Sequence, residues 1–97
     1  MPRVNLYYKR IVSSALVSYN QAYERGDYYI DKAVSEIIVI KKTVRPVDPL
    51  DNYERSMDSN WCLRVLDFYL KQLRKAKREH ARPLYYLHFP REFLFDF

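Results

Sequence analysis

From Tyr8 onward, apolar residues fall at Ile11, Val12, Ala15, Leu16, Tyr19, Ala22 and Tyr23. Those steps of three and four describe one face of a helix. Asn5 suits an N-cap, and Gly26 suits a C-terminal stop with Arg25 beside the negative helix end. The pattern predicts a first helix over about 6–25. Asp27 follows the glycine and can cap a second helix, in which Ile30, Ala33, Val34, Ile37 and Ile38 keep helical spacing. The β-branched run Ile37-Ile38-Val39-Ile40 also suits a short buried strand, but it continues the period begun at Ile30. A second helix over about 28–42 is expected, joined to the first as an antiparallel hairpin.

Pro46 and Pro49 interrupt any helix through the next stretch, and its Asp residues favour turns. Residues 43–58 therefore read as a connecting loop, packed across the hairpin through Val47, Leu50 and Tyr53. Asp58 or Ser59 can then cap a third helix, about 59–81, stopped by Pro83. Its buried stripe is Cys62, Leu66, Tyr69, Leu70, Leu73 and Ala76. After Leu84 the period changes to two: Phe93, Phe95 and Phe97 alternate with Glu92, Leu94 and Asp96. Residues 84–97 are thus an aromatic tail, either loosely extended or paired as a short β-hairpin about Pro90-Arg91.

The expected fold is mostly α: a three-helix domain, made of a helical hairpin plus a third helix, followed by that tail. The 97 residues leave no room for two cores, so 1–97 is one domain. Expected core residues are Ile11, Val12, Leu16, Tyr19, Ile30, Val34, Ile37, Leu66, Leu70 and Leu73, with the first and third helices supplying most of it.

Composition narrows the function classes. One glycine is too few for phosphate loops and nucleotide-binding turns, which need positive φ. Cys62 is the only cysteine, so no intrachain disulfide forms. With His80 and His88 it makes no metal set of familiar spacing, and neither metal nor cofactor is expected. Cys62 and His80 are also about five turns apart, roughly 27 Å on one helix, so they form no nucleophile–base pair. The pairs Asp27/Asp31 and Glu54/Asp58 read as caps and turn residues, and no catalytic residues are assigned. The longest apolar runs, such as Ile37 to Ile40, are far short of a transmembrane span, and no secretory signal is legible. An intracellular protein is expected; a basic, Ser-containing first helix also suits organellar targeting, and a viral origin fits as well.

The net charge of +5 is local in origin. Residues 59–97 hold eight Lys/Arg against four acids, and six of the eight lie between Lys71 and Arg82. Lys71, Arg74, Lys75, Arg78 and Arg82 are linked by steps of three and four along one helical face. Such a stripe is read in three ways: a solvated helix end opposing the macrodipole, a site for an acidic protein partner, or a track for nucleic-acid phosphates or anionic lipid. The tail places six aromatics in the last 14 residues. Tyr85, Phe89, Phe93, Phe95 and Phe97 either close the core or form an apolar patch that anchors a partner.

Two local resemblances break at defining positions. Ala22-Tyr-Glu-Arg-Gly-Asp-Tyr28 looks like the inter-helix turn of a tetratricopeptide repeat, but Ala33 lies two residues too far on and there is no second copy. Asn5-Leu-Tyr-Tyr-Lys9 faintly resembles the Leu-Tyr-Arg mitochondrial accessory proteins, with Tyr8 where the defining Arg belongs. No family is assigned. The expected function is a non-catalytic interaction protein, an accessory or structural subunit of a larger assembly or a homo-oligomer. The alternative is a nucleic-acid-binding module using the basic face of the third helix.

Overall fold

The computed structural model describes residues 5–25 and 27–79. They form three helices, α1 (Leu6–Arg25), α2 (Asp27–Lys42) and α3 (Tyr53–Arg78), with no strand among the described residues. The aromatic tail, with its hairpin alternative, lies outside them.

Contacts between the helices fix their directions. The Tyr8 carbonyl lies 4.0 Å from Cys62 Sγ, and the Tyr19 and Tyr69 rings are 5.2 Å apart, so α1 and α3 run parallel. Asp31 pairs with Lys77 and Lys41 with Asp67, so α2 runs antiparallel to α3. Ser18 Oγ donates to Glu36 at 2.6 Å and closes the α1–α2 hairpin. The result is an up-down-up bundle.

Its core is built on two matching seams. Tyr8, Val12, Ala15, Tyr19 and Ala22 of α1 are buried at steps of four, three, four and three. Cys62, Leu66, Tyr69, Leu73 and Ala76 of α3 repeat the same steps. That is the interdigitating repeat of packed helices, with α2 adding Ile30, Ala33 and Ile37. The small residues Ala15, Ala22, Ala33 and Ala76 let the backbones close on the large tyrosines at native density. Ile11, Leu16 and Val34, expected in the core, are only half-buried and flank it. The alanines and Tyr8 lie on the buried seam instead.

The start of α3 differs most from expectation. The helix begins at Tyr53 rather than Ser59, and the connection is correspondingly shorter than 43–58. Asn52, at φ −156° and ψ 103°, is the N-cap: its Oδ1 accepts from Arg55 N–H at 3.0 Å. Just ahead, Asp48 Oδ1 accepts from Leu50 N–H and the Asp48 carbonyl accepts from Asp51 N–H, a turn that aims the chain into the helix. Residues 53–58 carry no apolar stripe, since Tyr53 and Met57 are exposed, so the period that reveals α3 begins only where burial does, at Ser59. Lys41 faces Asp67, fourteen positions into α3 and so roughly 21 Å from its start. The connection spans that distance, held by buried Val44 and half-buried Val47. Leu50 is 94% exposed and Tyr53 66% exposed, so neither packs across the hairpin as expected. Asn52→Ala is expected to lower stability by about 1 kcal/mol, seen as an earlier urea midpoint; an unmoved midpoint would mean the cap carries no weight.

At the other ends, Asn5 caps α1 by accepting from Tyr7 N–H at 2.8 Å, as the sequence predicts. Arg25 donates to the Tyr29 hydroxyl across the hairpin. α3 stops at Arg78, three residues sooner than 81, with Glu79 N–H donating back to the Lys75 carbonyl. Pro83 sets only an outer limit to the helix.

Candidate cationic groove

Beyond Leu70, α3 has a buried side and a basic side. On a wheel of about 100° per residue, Lys71, Arg74, Lys75 and Arg78 share an arc of about 100°. All four are exposed, and among the described residues none is in an ion pair. Lys77 falls off that arc and pairs with Asp31 of α2. The helix thus sorts its charges: one lysine ties α2, and four cations remain together. Arg82, also assigned to this face by the sequence, lies outside the described residues, as do Tyr85, Phe89, Phe93, Phe95 and Phe97.

The basic arc forms one wall of a groove of about 930 Å³ between α3 and the end of α2. Lys41 and Lys42, in the last turn of α2, supply more charge to it. The single carboxylate in its lining, Asp67, is held by Lys41 at 2.5 Å. Between the charged residues lies an aliphatic surface of Ile38, Val44, Leu63 and Leu70, with Pro46 at one side. Sequence reasoning missed Lys41 and Lys42. Their adjacency marks a helix end, but only the antiparallel return of α2 brings them to the α3 stripe.

The remaining candidates for chemistry are placed structurally. Cys62 is fully buried, and desolvation pushes its thiol up to about 12. Glu54 and Asp58, expected in a loop, are instead in α3, and Asp58 accepts from the Asn5 N–H at 3.2 Å. Arg55 Nε donates to the Tyr8 hydroxyl at 3.3 Å, a bond that raises an already high guanidinium pKa and fixes a cation beside the α1 start. Among the described residues no group of three or more His, Cys, Asp or Glu could hold a metal ion. None of the helices there is long and apolar enough to cross a membrane.

In comparisons with known proteins, the chain matches no family model, no curated protein and no solved structure.

Proposed function

We propose that this chain is a non-catalytic interaction protein, an accessory or structural part of a larger assembly, which docks an anionic partner in the cationic groove. The observation that carries this reading is the position of Lys71 and Arg74. A helix macrodipole rewards cations only in the last turn, which accounts for Lys75, Lys77 and Arg78. Lys71 and Arg74 lie further in, where like charges three and four apart cost about 0.2–0.5 kcal/mol per pair. A solvated face would mix signs to avoid that cost. An anionic partner removes it.

The double charge reversal Arg74→Glu with Arg78→Glu tests the reading, because both side chains are exposed and neither packs in the core. Size fractionation of native extracts should show the unaltered chain in a large complex and the double variant released from it. A control of equal charge change away from the groove, Arg10→Glu with Lys32→Glu, should stay in the complex. Co-migration of the groove variant with the unaltered chain would count against docking there.

A second reading is a nucleic-acid-binding module, favoured by the unpaired stripe itself. In that case log affinity should fall linearly with log salt, and each groove cation removed should lessen the slope by about 0.9 on duplex DNA. A salt slope unchanged by Arg74→Glu would eliminate it.

A further inference from the structure

We infer that the groove takes an acidic amphipathic helix of a partner protein, with its apolar face down and carboxylates on its flanks. This rests on the docking reading above and adds the chemistry of the occupant. Four features of the groove carry it.

The first is that its floor is aliphatic, with half-buried Ile38 and Leu63 beside buried Leu70 and Val44. A phosphate backbone would contact the cations and leave that floor uncovered. The second is that cations border the floor from both helices: Lys42 from α2, and Lys71, Arg74 and Arg78 from α3. A helix seated between them presents flanks, not its apolar stripe, to those charges, which is the complement of an acidic amphipathic segment. Lysine and arginine stems can lie along the apolar stripe while their heads reach the carboxylates.

The third is the absence of any aromatic side chain among the described lining residues. Unpaired nucleic acid gains much of its affinity by stacking bases on such rings. The fourth is length. Leu63 to Arg78 spans fifteen steps of α3, roughly 22 Å, which matches about four turns of a docked helix. Such an occupant would be about 15 residues long, with apolar anchors at i, i+3 or i+4, and i+7.

The test uses the full chain and three fluorescent probes read by anisotropy. One is a 16-residue peptide with leucines at i, i+3, i+4, i+7 and i+11 and glutamates at most other positions. The next is the same composition with the leucines dispersed around the helix, and the last is a mixed-sequence 16-nucleotide single strand. The patterned peptide should bind at least tenfold tighter than the dispersed one. Leu63→Gln should weaken the patterned peptide about tenfold and leave the oligonucleotide unaffected, while Arg74→Glu with Arg78→Glu should weaken every probe that binds. The peptide comparison stands even if Leu63→Gln loosens the fold.

Equal binding of the two peptides, or tighter binding of the oligonucleotide, would overturn the inference while leaving an anion-binding groove in place. Failure of all three probes, with charge reversal also without effect on the native complex, would remove the groove reading itself.

Discussion

Leu66→Ala is expected to remove about 2–5 kcal/mol of folding stability, the range for truncating a buried leucine whose site collapses only partly. Leu66 is fully buried on the α3 seam, one turn from both Cys62 and Tyr69. A domain of this length holds about 5–15 kcal/mol in all, so the loss takes a large share of it. Urea unfolding followed by helical circular dichroism should show a much earlier midpoint with an unchanged slope. The informative partner is Leu50→Ala. Leu50 was expected to pack across the hairpin but is 94% exposed, and its truncation should stay within about 0.5 kcal/mol of the unaltered chain. Similar losses at the two positions would contradict the seam described above.

The second large effect concerns Cys62. Burial raises its thiol from an ordinary 9.0 to about 12, so at pH 8 the reactive thiolate is about a thousandfold scarcer in the folded chain than in the unfolded one. Alkylation by iodoacetamide at pH 8 should therefore be strongly suppressed in native buffer relative to urea, because burial both keeps the thiol protonated and bars the reagent. Fast native labelling would mean the thiol is reachable. The same shift links stability to pH. Below about 9 the thiol is protonated in both states and contributes no slope. Above that, the unfolded chain releases a proton that the folded chain keeps, so stability falls as pH rises, by about 1.4 kcal/mol per unit until about 12. The difference between the unaltered chain and Cys62→Ala isolates the thiol, and parallel curves would refute the assignment.

Where the polypeptide's own pattern could be read, burial had already written it. The stripe from Cys62 to Ala76 is legible because every step of three or four lands on a buried side chain. The break between α1 and α2 is legible because the sequence sets a glycine beside an aspartate between two helical periods. The first turns of α3 were not: residues 53–58 touch too little of the core to impose a period, and only the cap at Asn52 and the turn at Asp48 mark them. Ile11 and Leu16 have the right spacing and hydrophobicity, yet sit at the margins. Spacing places a residue on a face, while the packing of three helices decides which part of that face is buried.

The groove divides in the same way. Lys71, Arg74, Lys75 and Arg78 share one side of α3 by local geometry alone, since about 3.6 residues complete a turn whatever surrounds the helix. Two things depended on the fold. Lys77, already off that arc, was given Asp31 as a partner, and Lys41 and Lys42 were carried to the stripe by the antiparallel run of α2. Periodicity is a property of one helix and is encoded in neighbouring residues. A groove belongs to two helices, and its second wall comes from residues about thirty positions away, which only the packing of the bundle brings within reach.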